Sequence, residues 1–206
     1  RSEEVLLHQA RSLKQTTGRD KLCLAGGVAL NCAANGRLAR EGIFAELFVQ
    51  PAANDAGTAL GAALLLYHRS HPGRERFVQT TARLGPRHAA EEIDAAVRAS
   101  TLSFLKVPDP SAEAAERLAR GELVGWYRSE RAEAGPRALG GRSLLADPRH
   151  RALREQINRS VKRREPFRPF GPAVLAEHAD DFMEIPPSAR PLLPFMLAAV
   201  QVKPQM

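Results

Sequence analysis

The sequence predicts an α/β fold, because short apolar strands, glycine-rich loops and helices follow one another along the chain. In the first such series, residues 21–25 form a predicted strand that enters Gly26 and Gly27, and a helix follows at residues 31–40. In the second, a strand at residues 44–49 leads through a loop into a helix from about residue 56. With 206 residues, 44% of them hydrophobic, the chain can bury one ordinary core or two small ones.

The hydrophobic pattern breaks at residues 71–88, a polar stretch that we interpret as a linker between two α/β units. The first unit is expected to end near residues 67–70, and the second to begin between residues 87 and 102. The other predicted elements are an amphipathic helix at residues 3–14, helices at 90–98, 111–120 (capped by Ser111) and 150–160, and strands at 102–107, 123–127, 143–146 and 195–202.

Composition excludes some classes of protein. No apolar run is long enough to span a membrane. The two cysteines, Cys23 and Cys32, have neither metal-ligand spacing nor a disulfide framework, so a reducing cytoplasm and two buried thiols are expected.

Positive charge is concentrated in one part of the chain. The net charge is +7, and residues 128–168, called the basic segment below, hold 12 Lys and Arg against 5 Asp and Glu. The whole surplus of seven therefore lies in this segment, while the remaining residues are balanced. A phosphate-bearing or polyanionic ligand is the preferred interpretation, and a solvated basic surface is the alternative.

Two glycine-rich strand-to-helix loops are candidate ligand sites. Gly26 and Gly27 would let backbone N–H groups approach an anion at the start of a helix. The second loop, NDAGTALG, repeats the design and adds Asp55, which could bind a metal or accept a hydrogen bond from a hydroxyl. A helix N-cap is an equally good interpretation of Asp55.

The basic segment offers guanidinium groups on stiff backbone. Arg137 and Arg142 flank a glycine-rich bend, and Lys162 and Arg168 lie in a loop with two prolines. Arginine binds phosphate or carboxylate oxygens through two parallel hydrogen bonds. Such an arrangement suits phosphoryl or acyl-phosphate chemistry, in which positioning and charge stabilisation supply most of the catalysis.

Four blocks of the sequence closely resemble carbamoyltransferases related to nodulation protein U, a family that O-carbamoylates Nod factors, antibiotics and ansamycins. The blocks, in chain order, are LAGGVALNCAANGRL, QPAANDAGTALGAAL, EAGPRALGGRSLLADPR and VKRREPFRPFGPAVL. The resemblance implies the C-terminal part of an actin-like (Kae1-like) domain at residues 1–75, a linker at 76–100 and an incomplete YrdC-like α/β domain at 101–206. Because nothing matches the family's histidine metal ligands, the chain is interpreted as an internal or C-terminal piece.

The resemblance also implies a reaction. The YrdC-like site would form carbamoyladenylate from carbamoyl phosphate and ATP, and the Kae1-like site would transfer the carbamoyl group to a hydroxyl of a small-molecule acceptor, such as a sugar or a natural product. A divalent metal, iron or magnesium, is the expected cofactor besides ATP. No membrane partner is expected, and a homodimer is compatible with the resemblance.

The resemblance assigns roles to eight residues of this chain. It implies that Gly26, Gly27 and Asn31 hold the adenylate and that Asp55 ligates the metal. The residues implied to bind and polarise carbamoyl phosphate and ATP are Arg137, Arg142, Lys162 and Arg168. The chain departs from the family where Ala134 replaces a bulky residue and Gly141 replaces Asn, and both changes are expected to loosen the loop.

Two other functions compete with carbamoyl transfer. A basic nucleic-acid-binding module is the first, although only 5% of the residues are aromatic, and Trp126 and Tyr127 lie in a predicted core strand. An actin-like sugar kinase is the second, but it leaves the basic segment unexplained.

Overall fold

A computed structural model describes residues 1–128 and 130–204, except for the side chain of Arg151. Ser129, which belongs to the basic segment, and residues 205–206, the end of the predicted second domain, lie outside the described residues.

The described residues form a mixed α/β structure. The helices are α1 (Ser2–Thr17), α2 (Cys32–Arg40), α3 (Thr58–Ser70), α4 (Ala90–Ala99), α5 (Pro110–Ala119), α6 (Arg151–Gln156) and α7 (Ala179–Phe182). The strands are β1 (Lys21–Leu24), β2 (Glu46–Val49), β3 (Val124–Tyr127), β4 (Arg142–Leu145), β5 (Met183–Glu184) and β6 (Gln201–Val202). Short 3₁₀ helices lie at Gly27–Leu30, Asp55–Gly57, Ala176–His178 and Pro187–Phe195, and a π-helical turn, Ile157–Val161, continues α6. None of these helices is both long and apolar enough to cross a lipid bilayer.

The chain divides into two compact units, neither of which is continuous in sequence. Unit 1 comprises Arg1–Ala82, Ala134–Leu139 and the residues from Val174 onward, and unit 2 comprises Arg83–Glu133 and Gly140–Ala173. A compact unit is not the same as a family domain, so the division into domains at residues 1–75 and 101–206 stays a prediction.

Unit 1 is built on two parallel strands. β1 pairs with β2 in the register Lys21 with Glu46, and α2 connects the two strands. Each strand buries alternate side chains and exposes the others, as a sheet covered on one face does. The largest side chains of this core are Leu7, Leu22, Leu38, Phe44, Leu47, Val49, Leu192 and Leu197.

Residues near the C-terminus complete the core of unit 1. Leu192 and Leu197, which belong to or follow the last 3₁₀ helix, are almost fully buried against the sheet and α2. The backbone N–H of Ala199 donates to the carbonyl of Cys32 at 2.9 Å, which brings this segment against α2. The approach is so close that a Cβ at Gly36 would lie 1.9 Å from the carbonyl oxygen of Ala199.

Unit 2 pairs β3 with β4 as an antiparallel ribbon, with Val124 opposite Leu145 and Tyr127 opposite Arg142. α5 contacts β3, and α6 follows β4. Asp109 caps α5, since its side chain accepts from the backbone N–H groups of Ser111 and Ala112. The predicted Ser111 cap is therefore wrong by two residues, because Pro110 occupies the first helical position and shifts the cap to the residue before it.

Two predicted strands are wrong in whole or in part. Residues 102–107 form no strand, because no described strand pairs with them and their apolar side chains face solvent. Of residues 195–202, only Gln201–Val202 pair as a strand. Phe195 instead ends a 3₁₀ helix, and residues 196–200 are irregular, because the N–H of Ala199 donates to the carbonyl of Cys32 in α2 rather than to a neighbouring strand.

Two predicted core positions are exposed. Cys23 points away from the covered face of the sheet, because it alternates with the buried Leu22. Tyr127, on the two-stranded ribbon of unit 2, is also exposed, whereas Trp126 is half-buried. An apolar tetrapeptide in a single two-stranded sheet has one uncovered face, so alternate residues remain in water.

Replacing Gly36 by alanine is expected to lower the free energy of unfolding by about 1–3 kcal/mol, since the new methyl group collides with backbone. Gly61, which lies inside α3 with nothing within 4 Å of a Cβ, is the matched control. Gly61→Ala is expected to raise the free energy of unfolding by about 0.5–1 kcal/mol, because alanine favours helix. Urea denaturation of both variants measures the contrast, and equal changes would contradict the close approach.

Candidate functional site

The carboxyl ends of β1 and β2 meet at one edge of the sheet, called the carboxyl edge below. The glycine loop (residues 25–31) leaves β1 there, and the aspartate loop (residues 50–57) leaves β2 beside it. The backbone N–H of Gly26 donates to the carbonyl of Ala53 at 2.8 Å, so the two loops are in direct contact. The two loops that the sequence analysis selected as candidate ligand sites therefore lie side by side.

The glycine loop presents backbone rather than side chains. Gly26 and Gly27 are both exposed, and a Cβ at either would meet no atom within 4 Å. Asn31 ends the loop as the N-cap of α2, its side-chain oxygen accepting from the N–H of Ala34 at 3.2 Å. Capping accounts for one oxygen of Asn31 and leaves its proposed contact with an adenylate a prediction.

Asp55 is the first residue of a short 3₁₀ helix, and its carboxylate caps no helix. The N-cap interpretation is therefore wrong. The carboxylate is exposed and has no partner among the described residues. Three or more Cys, His, Asp or Glu side chains placed to hold a metal occur nowhere in residues 1–128 and 130–204. Asp55 by itself does not fit a transition-metal site, because such sites need several ligands.

Arg137 reaches the same edge from the short segment Ala134–Leu139, which belongs to unit 1. Its Nη2 donates to the carbonyl of Leu30 at 2.8 Å, one residue before Asn31. The segment makes a second hydrogen bond, in which the N–H of Ala134 donates to the carbonyl of Ala82 at 2.7 Å. One predicted arginine is thus fixed beside the predicted adenylate loop.

Besides Oδ1 of Asn35 in α2, two polar atoms of unit 1 are buried without a hydrogen-bond partner among the described residues, and both lie at the carboxyl edge. They are Oδ1 of Asn54, an acceptor in the aspartate loop, and Nε of Arg137, a donor. Buried polar atoms usually have partners, so an unpaired donor and acceptor at a loop edge are what a polar ligand would satisfy. The sequence analysis did not select Asn54, although its position directly before Asp55 is a usable signal.

In the basic segment, most cations are bound by the protein itself. Six of them donate hydrogen bonds to carboxylates, to backbone carbonyls or to an amide oxygen: Arg128, Arg131, Arg137, Arg149, Arg159 and Arg164. A seventh, Arg168, makes only a long ion pair with Glu165. Four others have no side-chain partner among the described residues: Arg142, Arg154, Lys162 and Arg163. Two of the predicted site residues, Arg142 and Lys162, therefore remain available to an external anion.

The remaining site residues lie in unit 2. Arg142 begins β4, and Lys162 follows the π-helical turn. Arg168 lies 3.8 Å from the carboxylate of Glu165, a long and exposed ion pair. Arg137 belongs to unit 1, whereas Arg142 and Lys162 belong to unit 2, so their shared role in binding carbamoyl phosphate and ATP stays a prediction.

The expectation that Gly141 loosens its loop is wrong. The N–H of Gly141 donates to Oε1 of Glu133 at 2.8 Å, and its carbonyl accepts from the N–H of Arg128 at 2.8 Å. A Cβ at this position would lie 2.7 Å from the carboxyl carbon of Glu133. The glycine thus permits a contact that holds the backbone immediately before Arg142.

Asp147 is the most strongly held carboxylate of the basic segment. Its side chain, 6% exposed, accepts from the Arg149 guanidinium at 2.5 Å and from the Arg149 backbone N–H at 2.9 Å. These hydrogen bonds, with the Arg149 charge and the nearby His150, lower the pKa of Asp147 to about 2. The pair fixes the turn between β4 and α6.

Comparison with known proteins gives two matches to family models. Residues 2–64 match the model described as Carbamoyltransferase N-terminus, and residues 115–206 match the one described as Carbamoyltransferase C-terminus.

Three relatives illustrate the similarity. Nodulation protein NolO of Bradyrhizobium diazoefficiens is 44% identical, over 98% of this chain and 37% of its own length. An uncharacterized protein of Synechocystis is 41% identical, over 100% of this chain and 34% of its own length. The 3'-hydroxymethylcephem-O-carbamoyltransferase of Streptomyces clavuligerus is 36% identical, over 76% of this chain and 28% of its own length. The chain thus spans between 28% and 37% of the length of these relatives.

Replacing Asp147 by asparagine is expected to destabilise the protein at neutral pH and to matter less in acid. The pKa of the carboxyl group is lowered from 3.8 to about 2 on folding, so its contribution is complete above pH 4 and is lost as the pH falls towards 2. Thermal unfolding between about pH 7 and pH 2 should show the difference between wild type and variant shrinking with acid. Asp94→Asn, which removes an exposed carboxylate without a described partner, is the control and should show no such trend.

Proposed function

Because the chain belongs to the carbamoyltransferase family, we propose that it takes part in transferring a carbamoyl group to a hydroxyl of a small-molecule acceptor. The proposed donor is carbamoyl phosphate, activated with ATP to carbamoyladenylate. The relative from Streptomyces clavuligerus, whose name is that of a cephem O-carbamoyltransferase, supports a hydroxyl as acceptor.

The observation that carries the proposal is that most cations of the basic segment are bound within the protein, whereas a few have no partner among the described residues. Carbamoyl phosphate and ATP are polyanions, and their activation needs cations that the protein has not already neutralised. Arg142 and Lys162 meet this requirement, since each lies in a family block and has no partner among the described residues. We assign them to binding and polarising the two phosphate-bearing substrates in a YrdC-like domain, together with Arg168, whose ion pair with Glu165 is long and exposed.

The carboxyl edge of unit 1 is assigned to the adenylate, as part of a Kae1-like domain. Backbone N–H groups at Gly26 and Gly27 suit phosphate oxygens, and the unpaired Nε of Arg137 and Oδ1 of Asn54 suit the polar groups of a nucleotide or a carbamoyl group. In the transfer step, the acceptor oxygen attacks the carbamoyl carbon and loses its proton to water, and the bond between that carbon and the phosphate oxygen breaks, so that AMP leaves. Cationic and N–H donors at this edge would stabilise the departing AMP and the developing oxyanion.

A basic nucleic-acid-binding module is the alternative function. The exposed rings of Tyr127, opposite Arg142 on the ribbon, and of Phe167, in the loop after Lys162, are the observation that favours it. Binding to nucleic acid would draw on many cations at once, with little dependence on any single residue.

Lys162→Ala and Arg142→Ala are each expected to weaken binding of carbamoyl phosphate or ATP by roughly tenfold to a hundredfold, the worth of one charge-assisted hydrogen bond. Carbamoyl-phosphate-dependent ATP cleavage by the full-length protein should fall accordingly. Transfer from preformed carbamoyladenylate should survive the Lys162 change, because that step is assigned to the other domain.

Arg154→Ala is the matched control, since Arg154 is an exposed cation of the same segment that has no partner in the described part of the chain and lies outside the family blocks. It should leave ATP cleavage unchanged. Titration with a single-stranded RNA separates the alternatives. If all three variants weakened RNA binding slightly and equally, and none affected ATP cleavage, the nucleic-acid function would replace the proposed one.

Asp55→Ala is expected to lower the bound iron or magnesium of the full-length protein and the transfer rate with it. The prediction follows from the exposed, unpartnered carboxylate at the carboxyl edge, which would supply one ligand of the several that a metal needs. Metal analysis of the purified protein measures the first effect. Asp94→Ala, which removes an exposed carboxylate of α4, is the control, and equal metal content in all three proteins would disprove the ligand role of Asp55.

A further inference from the structure

The loop that carries Lys162 and Arg168, called the basic loop (residues 162–168), leaves the helix through an unusual turn. The N–H of Lys162 donates to the carbonyl of Ile157 at 2.8 Å, the five-residue spacing of a π-helix. The N–H of Arg164 then donates to the carbonyl of Asn158 at 2.9 Å. Single π-helical turns are rare and occur frequently at functional sites.

The side-chain amide of Asn158 holds the C-terminal part of the basic loop. Its side chain is fully buried, and its Nδ2 donates to the carbonyls of Pro166 at 3.2 Å and of Arg168 at 2.9 Å. These carbonyls lie in irregular backbone, where no regular secondary structure supplies donors for them. One neutral amide therefore fixes the backbone on either side of Phe167.

Arg164 is the cation of the basic loop that turns inward. Its Nε donates to Oδ1 of Asn158 at 2.7 Å, and its guanidinium lies 4.8 Å from the centre of the Phe170 ring. It is only half-buried, whereas Lys162, Arg163 and Arg168 are exposed. The loop thus contains one structural cation and three that face solvent.

The backbone between the structural cation and Lys162 is strained. Arg163 has φ of 46°, in the left-handed region that non-glycine residues seldom adopt. Such a conformation persists only where the surrounding contacts fix it, and it is common at ligand-binding positions. Here the fixing contacts are the two backbone hydrogen bonds made by its neighbours, Lys162 and Arg164.

We propose that Asn158 and Arg164 are positioning residues, which hold the basic loop in one conformation so that Lys162 and Arg168 bind the phosphate groups of carbamoyl phosphate or ATP. The inference rests on the proposed function and extends it to residues that make no contact with substrate. Fixing the loop before binding means that less conformational freedom is lost when the anion binds.

Asn158→Asp in the full-length protein tests whether the amide of Asn158 fixes the basic loop. The substitution hardly changes the shape of the side chain, but it replaces the donating Nδ2 by an acceptor and leaves an oxygen to accept from Arg164. Asn35→Asp is the matched control for the cost of altering a buried amide, since Asn35 is also fully buried and donates its Nδ2 to two backbone carbonyls. Hydrogen exchange of the amides of Lys162 and Arg164 should accelerate in Asn158→Asp and stay at the wild-type rate in Asn35→Asp.

Arg164→Lys is a milder variant that retains the positive charge. It provides the test if the Asn158→Asp protein does not fold. It removes the planar guanidinium that contacts Asn158 and Phe170. We expect the KM for carbamoyl phosphate or for ATP in ATP cleavage to rise roughly tenfold or more, because small misplacements of binding groups are costly. Arg159→Lys, a surface change at an exposed ion pair with Glu155, should leave KM unchanged.

The outcomes separate the two proposals. If wild type binds both substrates while Asn158→Asp and Arg164→Lys show wild-type exchange or wild-type KM, the positioning role is overturned and the proposed function stands. If wild type binds neither carbamoyl phosphate nor ATP, the proposed function fails, and the anion role of the loop fails with it. Faster loop exchange together with a raised KM in both variants supports the inference.

Discussion

The side-chain amide of Asn35 is the contact on which the carboxyl edge of unit 1 depends. Its Nδ2 donates to the carbonyl of Ala29 in the glycine loop and to that of Leu197 in the C-terminal segment, at 2.8 Å each. One buried group therefore ties α2 to the loop in which a ligand is proposed to bind and to the segment that completes the core. Removal of that amide would leave two buried carbonyls without donors, a cost of about 1–3 kcal/mol for each unsatisfied group. The position of the glycine loop thus follows from the packing of residues more than 160 positions away, as the separation between Asn35 and Leu197 shows.

Asn158 repeats this device in unit 2, where its amide satisfies carbonyls of the basic loop. Asparagine suits both places for the same reason. Irregular backbone leaves carbonyls without regular partners, and an amide supplies two donors without the desolvation cost of a buried charge. A lysine in either position would have to bury its ammonium group. The charged side chains can then remain at the surface, so the structure separates the groups that hold the loops from the groups available to a ligand.

The strand-to-helix loops of unit 1 were predictable from the sequence, because Gly26 and Asp55 each follow a short apolar run that has the length of a strand. The N-cap of α2 and the contact between the two loops follow from that local pattern.

The roles of Asn35 and Asn158 were not predictable, since their partners are backbone carbonyls whose positions depend on tertiary packing. The strand predicted at residues 102–107 is wrong for a similar reason. Its apolar content favours a strand, but a strand forms only where a neighbouring strand pairs with it, and the local sequence does not show whether one does. For the same reason Arg164 could not be distinguished from Lys162 in the run KRREP, although one cation is used to fix the loop and the other is left free.

This distinction between bound and free cations bears on whether the positive charge of the basic segment has a function beyond solubility. A merely solvated surface has no need for rigid backbone beneath its free charges. Yet the residue before Arg142 is held on both sides, its N–H by Glu133 and its carbonyl by the N–H of Arg128. Lys162 likewise follows the π-helical turn and begins a loop whose backbone is held by hydrogen bonds from Asn158. A cation on fixed backbone loses less entropy when it binds an anion than one on a mobile chain, and its geometry can favour a particular phosphate arrangement. Two separate sets of contacts thus stabilise the backbone at Arg142 and Lys162, two of the cations within family blocks that have no partner among the described residues, and this arrangement suits the proposed binding of a small phosphorylated substrate.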